Sequence, residues 1–243
     1  MSANNVSSVT LSVTNGEFYE CKATSDRGGG IYCQGIGKVT VKTSFFSWCT
    51  CKANSDLGGG GIGVYDIQTQ PHIECCDFVH CSSGNDGGGI SICYSYSHPD
   101  TLPITKCRFF CCYANSTANG DGGAIILWKN QEIFGLSNCL FSSGHSILRA
   151  GATSFGFGSM IQVSFSFICF SFFSGNTAPN GNDICLYNVK GNPILHSFTT
   201  IDVNTLYNST SECFIVDWLP LGTFFFLNLR EMISNSHKHT SDD

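Results

Sequence analysis

Charged residues are scarce in this chain of 243 residues. They make up 12% of the sequence, with 12 Lys and Arg against 18 Asp and Glu, so the net charge is −6 at pH 7. This balance argues against nucleic acid as the main partner, because few basic side chains are present to neutralise phosphates. Disordered chains combine high charge with few aromatics, whereas this chain has 20 Phe. The composition favours a folded domain, and it lacks the Ala, Glu, Lys and Leu bias of a coiled coil.

Long apolar runs and processing signals are also missing. Met1 is followed by polar residues, with neither the basic nor the apolar region of a signal peptide. The most apolar stretch, residues 213–229, contains Asp217, Pro220 and Gly222 and is shorter than the roughly 20 apolar residues that span a membrane. No window shows the apolar spacing of an amphipathic helix. We therefore expect an all-β fold and no integral membrane span in this chain.

What the chain does contain is an internal repeat with a period of about 31 residues. Each copy has apolar residues alternating around an aromatic anchor, then a Cys or Asn three positions later, a polar loop, a glycine tract and a second apolar strand. The anchors recur at nearly even steps along the sequence. They are Phe18, Trp48, Phe78, Phe109, Phe141 and Phe173, and the residues three positions later are Cys21, Cys51, Cys81, Cys112 and, in the last copy, Asn176.

Short strands joined by sharp corners, recurring once per repeat, are typical of a parallel β-solenoid. Alternation with period two indicates a strand with one buried face. An offset of three residues cannot stay on that face, so a bend must lie between the anchor and the Cys. Stacked copies would place the anchors in an aromatic ladder and the Cys and Asn in a corner ladder, both structural. An antiparallel sandwich is the alternative, but it does not explain why whole units recur.

The repeat resembles a known family of surface proteins. Phe173-Ser-Gly-Asn176, followed by Gly181-Asn-Asp-Ile184, and the tract Gly122-Gly-Ala-Ile125 are similar to the repeats of polymorphic outer-membrane proteins, which are right-handed β-helix proteins of bacteria with relatives in protozoa. The resemblance covers roughly residues 16–190, and it departs from the family where Cys replaces the usual Asn. It implies an adhesin-like β-helix, at the cell surface or secreted, that binds a host or neighbouring-cell surface protein or glycan. The missing signal peptide leaves a cytoplasmic location open.

We accordingly expect one right-handed parallel β-helix of about six rungs over residues 6–190. Residues 191–230 would form a final rung and a C-terminal cap, because an open solenoid end exposes unpaired strand edges. Residues 231–243 form a polar tail that we expect to be disordered.

Metal ligands and thiols are frequent, but their spacing is weak for a metal site. Four aspartates could bind Ca²⁺ between rungs, although Asp before Gly is also ordinary turn chemistry; they are Asp26, Asp56, Asp86 and Asp121. His72, Cys76 and His80 would spread over about 26 Å of an extended strand, which is too far for zinc. We therefore expect no cofactor. The 15 Cys fit either free, stacked core thiols or several disulfides, and both alternatives stay open.

The function that we expect is that of a non-enzymatic surface adhesin or recognition module. Its binding site would lie on a variable loop, residues 94–104, which interrupts the repeat; the candidate binding residues are Tyr94, Tyr96, His98 and Asp100. Two alternatives stay open: a polysaccharide lyase or hydrolase of the pectate-lyase-like β-helix type, and an intracellular scaffold for protein interactions. The enzyme needs paired carboxylates. On the outward face, Asp77 and Arg108 occupy equivalent positions on neighbouring copies and indicate only an exposed salt bridge.

Overall fold

The computed structural model describes residues 9–24, 27–52, 58–67, 69, 71–94, 104–116, 121–129, 134–147, 150–162, 166–169, 171–179, 184–190, 194–196, 206–208, 214–218 and 224–228. All regular secondary structure in these ranges is β-strand, and the strands form four sheets, A to D.

Sheet A consists of β1 (Thr10–Thr14), β5 (Lys38–Lys42), β9 (His72–Glu74), β13 (Ile104–Thr105), β17 (Phe134–Ser137), β21 (Ser166–Cys169), β24 (Ile194–His196), β26 (Phe214–Trp218) and β27 (Phe224–Asn228). Sheet B consists of β2 (Glu17–Tyr19), β6 (Phe45–Ser47), β10 (Asp77–Val79), β14 (Arg108–Phe110), β18 (Leu140–Ser142) and β22 (Phe172–Ser174). Sheet C consists of β3 (Lys22–Ala23), β7 (Thr50–Cys51), β11 (Ser82–Ser83), β15 (Tyr113–Ala114) and β19 (His145–Ser146). Sheet D consists of β4 (Ile31–Gln34), β8 (Ile62–Ile67), β12 (Ile90–Tyr94), β16 (Ile125–Lys129), β20 (Thr153–Gln162), β23 (Ile184–Lys190) and β25 (Leu206–Asn208).

The order of the strands makes the molecule a solenoid. From β1 to β20 the chain passes through sheets A, B, C and D in turn, which we call one coil, and each strand pairs in parallel with its counterpart in the next coil. Strands β26 and β27 differ, because they pair antiparallel. The predicted all-β, parallel β-solenoid is therefore confirmed. The right-handed winding, the six-rung count and the domain boundaries stay predictions, and residues 231–243 lie outside the described residues.

A column of phenylalanine rings fills the interior behind sheet B. Consecutive ring centroids are 4.6–4.9 Å apart and the ring planes agree within 8°. This spacing is that of the paired strands themselves, so the rings stack because the backbones do. The column consists of Phe18, Phe46, Phe78, Phe109, Phe141 and Phe173.

The prediction that Trp48 belongs to this ladder is wrong. Phe46 pairs in register with Phe18 and Phe78, and it is fully buried, whereas Trp48 is 55% exposed. Residues 46 and 48 have the same parity on an extended strand, so alternation alone does not distinguish them. The steps in the observed column are uneven, because Phe46 lies closer in sequence to Phe18 than to Phe78. An even spacing therefore selects the wrong aromatic residue.

A residue with a left-handed backbone makes the bend that follows each phenylalanine. The φ angles are 56° at Trp48, 53° at His80 and 51° at Cys111. The bend that the offset of three residues required is thus present, and it turns the next side chain inward. Asn176 Nδ2 donates to the carbonyl of Phe141 at 3.3 Å. The cysteines of this corner make the equivalent bond through Sγ, as described next.

Cys and Asn are interchangeable at this corner because, from the second coil onward, each donates to a carbonyl of the preceding coil. Cys81 Sγ lies 3.5 Å from the carbonyl oxygen of Phe46, in the same geometry as the Asn176 bond. The column contains Cys21, Cys49, Cys81, Cys112 and Asn176. The predicted Cys51 is therefore a second wrong assignment, with the same cause as Trp48. Cys51 is buried in sheet C, where it pairs with Ala23 and Ser83.

Two glycine columns let the coils approach closely before sheet D. In the first four coils the residue three positions before the sheet D strand is a glycine with a positive φ, for example 63° at Gly87, where a Cβ would lie 2.3 Å from the carbonyl oxygen of Ile90. At the next position, a Cβ on Gly88 would lie 2.3 Å from the carbonyl oxygen of Gly123 in the following coil. The first position also accepts Ala150, with a φ of 51°, whereas at the second position a Cβ would collide with the next coil, and this explains why glycine recurs there.

Candidate functional site

The candidate site is the outward side of sheet B together with the corner that follows it, which we call the sheet B outer face. The middle residue of each sheet B strand faces the core, so its two neighbours face outward. The left-handed corner residue adds a third outward side chain in each coil. These outward residues are Glu17, Tyr19 and Glu20 in the first coil, Phe45, Ser47 and Trp48 in the second, and Asp77, Val79 and His80 in the third.

Four rings on this face form what we call the aromatic patch: Tyr19, Phe45, Trp48 and His80. Tyr19 is 59% and Trp48 55% exposed. The Tyr19 and Phe45 centroids are 5.5 Å apart with a 51° tilt, and Trp48 stacks on His80 at 4.2 Å with a 13° interplanar angle. Large aromatic side chains that are exposed yet held by neighbours are typical of binding surfaces, because little side-chain entropy is lost when a partner docks.

A shallow depression of about 370 Å³ lies beside Phe45, toward sheet A. It is lined by Thr43, Ser44, Phe45, Cys75, Asp77, Lys106 and Arg108. Arg108 Nε donates to Asp77 Oδ1 at 2.6 Å and its Nη2 donates to Oδ2, which confirms the predicted salt bridge. Because the pair is exposed, it contributes about 1 kcal/mol or less to stability. The more important consequence of this pair is that both carboxylate oxygens of Asp77 already accept hydrogen bonds from Arg108.

Glu74, on sheet A, is engaged in the same way. Lys42 Nζ and His72 Nε2 lie 3.2 Å from Glu74 Oε2, and Lys106 Nζ lies 3.2 Å from Oε1. Hydrogen bonds from His72, Lys42 and Lys106 lower the pKa of Glu74 to about 2. A carboxyl group that serves as a general acid at neutral pH needs a raised pKa. Glu74 is therefore not arranged to act as a general acid at neutral pH.

Most of the described thiols are buried, two are exposed, and Cys21 and Cys93 are partly exposed. The described cysteines form no disulfide, which agrees with the alternative of stacked core thiols. Burial raises the pKa of Cys112 and of Cys139 to about 12, so these thiols remain protonated and act as small, hydrogen-bonding core groups. Cys75 and Cys111 are exposed because each occupies a left-handed corner position.

The candidate metal ligands that the structure describes do not form a metal site. Asp86 and Asp121 are buried, and Asp86 Oδ1 accepts a hydrogen bond from the Asp121 backbone N–H at 3.0 Å, which is turn chemistry between coils. Asp26 and Asp56 lie outside the described residues. Within the described part of the chain, no three His, Cys, Asp or Glu side chains are placed to hold a metal ion.

The residues that the sequence analysis rejected as zinc ligands and those that it predicted for the binding loop have different outcomes. His72 contacts Glu74, whereas His80 stacks on Trp48 and Cys76 faces the core, so they do not share a site. The loop candidates lie outside the described residues: these are the Tyr94 side chain, Tyr96, His98 and Asp100. The prediction of a binding loop at residues 94–104 therefore stays a prediction.

Sequence reasoning misses the aromatic patch, although a signal for it is present. Tyr19 and Phe45 each stand next to a core phenylalanine, so strand alternation requires them to face outward once Phe18 and Phe46 are assigned inward. Even spacing of the anchors assigns Trp48 to the core instead, which removes the largest ring from the outer face.

The fold and this face define the class of the chain: it is a β-solenoid protein with an exposed aromatic surface. No family model, curated protein or solved structure matches the chain. The resemblance to polymorphic outer-membrane proteins consequently stays a prediction. Among the described residues, none forms a helix of the length and apolarity required to cross a membrane.

Proposed function

We propose that this chain is a non-enzymatic recognition module that binds a protein or glycan on the surface of a host or neighbouring cell. The observation that carries the proposal is the aromatic patch, in which Tyr19 and Trp48 are both more than half exposed on a rigid β scaffold. Aromatic side chains in such positions supply most of the binding energy at many interfaces. Cell-surface location is supported by the repeat's resemblance to surface β-helix proteins.

The arrangement of carboxylates favours this proposal over the polysaccharide-active enzyme. Asp77 is held by Arg108, and Glu74 accepts hydrogen bonds from several donors. A glycosidase or lyase site would instead need carboxylates facing one another across an open cleft, with the pKa of one of them raised. No specific observation favours the enzyme, and we do not propose it.

The test is a titration of fluorescently labelled protein onto intact cells, read by flow cytometry, with Trp48→Ala and Tyr19→Ala as the diagnostic variants. Tyr32→Ala is the matched control, because Tyr32 is also an exposed aromatic but lies on sheet D. We expect both diagnostic variants to weaken binding at least about tenfold, the range of an interface hot spot, and the control to bind as the parent protein does. Equal effects of all three substitutions would contradict the proposal.

A second measurement addresses location. Intact cells that produce the protein are treated with a membrane-impermeant biotin reagent, and a lysate serves as the control. Labelling of the protein on intact cells is the expected result. Labelling in the lysate alone would favour the intracellular scaffold.

A further inference from the structure

Trp48 has one ring face that its own chain covers and an opposite face on the side of the first coil. The corner column of the sheet B outer face runs Glu20, Trp48, His80, because the N–H of each of these residues bonds to a carbonyl of the following coil in the same pattern. The His80 imidazole covers one face of the indole at 4.2 Å. The opposite face points toward the first coil, where the corner residue is Glu20, and Trp48 remains 55% exposed.

The first coil contributes negative charge beside this indole face. Glu17 and Glu20 are both exposed, and Tyr19 stands between them on the same outward side. Of the ion pairs among the described residues, none includes Glu17 or Glu20. Glu74 and Asp77, in the third coil, are instead paired with cations of the chain. The uncovered face of Trp48, in the second coil, therefore lies next to a first coil that carries two carboxylates available to a cation from outside.

The chemistry of this arrangement matches a guanidinium group. Arginine is planar, stacks on aromatic faces, and donates to carboxylates through a rigid fork of N–H groups. The same chain already makes both contacts internally, since the Arg27 guanidinium lies 4.6 Å over the Tyr65 ring and Arg108 pairs with Asp77 through two bonds. A neutral sugar would use the ring face but leave the carboxylate charges uncompensated, and an anionic sugar would be repelled.

We propose that the exposed face of Trp48, together with Tyr19, Glu17 and Glu20, is a binding site for arginine side chains of a partner polypeptide. The net charge of −6 adds long-range attraction for such a basic partner. This inference rests on the proposed function, because it names the partner chemistry of the same surface. The partner that this site would bind is a protein with an arginine-rich segment.

The test uses the full chain labelled with ¹⁵N at tryptophan and follows the indole Nε1–H signals while a short peptide with two arginines is added. The Trp48 signal is identified as the one that disappears in Trp48→Phe. We expect this signal to shift saturably, and the citrulline version of the peptide, which keeps the shape and loses the charge, to bind about tenfold more weakly. Equal binding of the two peptides would overturn the inference.

Matched carboxylate variants separate a local contact from net charge. Glu20→Gln and Glu74→Gln alter the net charge equally, but Glu74 belongs to the ion pairs of sheet A. We expect Glu20→Gln to weaken binding of the arginine peptide about fivefold and Glu74→Gln to have little effect on this binding. Equal weakening by both variants would contradict a site at Glu20. A larger Trp48 shift with a neutral oligosaccharide of N-acetylglucosamine than with the arginine peptide would also overturn the assignment.

The failures of the two proposals are distinguishable. If Trp48→Ala abolishes cell binding while the arginine peptide leaves the Trp48 signal unchanged, the recognition function stands and the arginine site is wrong. If the peptide binds at Trp48 while cell binding is independent of Trp48, the arginine site stands and the proposed function of this face is wrong. Circular dichroism and the thermal midpoint of each variant confirm that it is folded.

Discussion

Replacing Phe46 and Trp48 one at a time by alanine tests the register of the second coil directly. Phe46 is fully buried and stacked on both faces, with ring centroids 4.6 and 4.8 Å away. Phe46→Ala therefore removes a whole core ring and leaves a cavity between two others, at a cost of about 3–5 kcal/mol. Trp48 is 55% exposed and loses chiefly its stacking on His80, so Trp48→Ala is expected to cost about 1 kcal/mol.

The measurement is urea unfolding at equilibrium, followed by far-ultraviolet circular dichroism. With a denaturant slope of about 3 kcal/mol per molar, the Phe46→Ala midpoint should fall by about 1 M or more and the Trp48→Ala midpoint by about 0.3 M. Phe18→Ala is an internal control, because Phe18 is half-buried and stacks on one ring only, and it should fall between the two. A Trp48→Ala loss as large as that of Phe46→Ala would refute the register and restore the evenly spaced ladder.

Three further predictions concern backbone packing, thiols and charge. Gly88→Ala should lower the free energy of unfolding by about 1–3 kcal/mol, because its Cβ would lie 2.3 Å from a carbonyl oxygen of the next coil. Gly84→Ala is the control, because its Cβ would have its nearest contact at 3.4 Å and should change the free energy of unfolding little. Equal losses for the two variants in urea unfolding would contradict the close approach of the coils at Gly88. In native protein a maleimide should modify Cys75 within minutes and spare Cys112, whose thiol is buried with a pKa of about 12; mass spectrometry showing Cys112 modified equally fast would contradict this burial. The pKa of Glu74 is about 2 in the folded chain against about 4.5 ordinarily, so its stabilising effect is complete above pH 4.5 and lost as the pH falls toward 2. Glu74→Gln should make the thermal midpoint less dependent on pH over that interval. A variant whose midpoint depends on pH as strongly as that of the parent protein would argue against these ion pairs.

The solenoid itself was predictable from sequence because its requirements are local and repeated. Period-two alternation places one face of each strand inward, and the glycine tract recurs because only glycine fits between neighbouring coils, as at Gly88. The offset of three residues between an aromatic and a Cys required a bend, and His80 and Cys111 supply it with φ angles near 50°. Each of these inferences depends on neighbours in sequence.

The register of the second coil could not be obtained in the same way. Loop lengths differ between coils, so the step from one phenylalanine to the next is not constant, and it is shorter before Phe46 than after it. Residues 46 and 48 have equal parity and both are aromatic, and so alternation and composition favour neither. The choice is made by stacking: Phe46 completes a continuous column of rings between Phe18 and Phe78, and Cys49 then completes the corner column.

The sequence by itself determined the all-β class, the repeat, the corners and the predominantly apolar, cysteine-rich interior, because these follow from residue types at short separations. Tertiary structure alone decided which outward side chains become neighbours. Tyr19 and Phe45 belong to different coils, as do Trp48 and His80, yet each pair is in contact because parallel stacking superimposes consecutive coils. The aromatic patch, the carboxylates beside it and the ion pairs of Glu74 exist only through this superposition. Which residues are superimposed depends on the lengths of the loops, and these lengths vary from one repeat to the next.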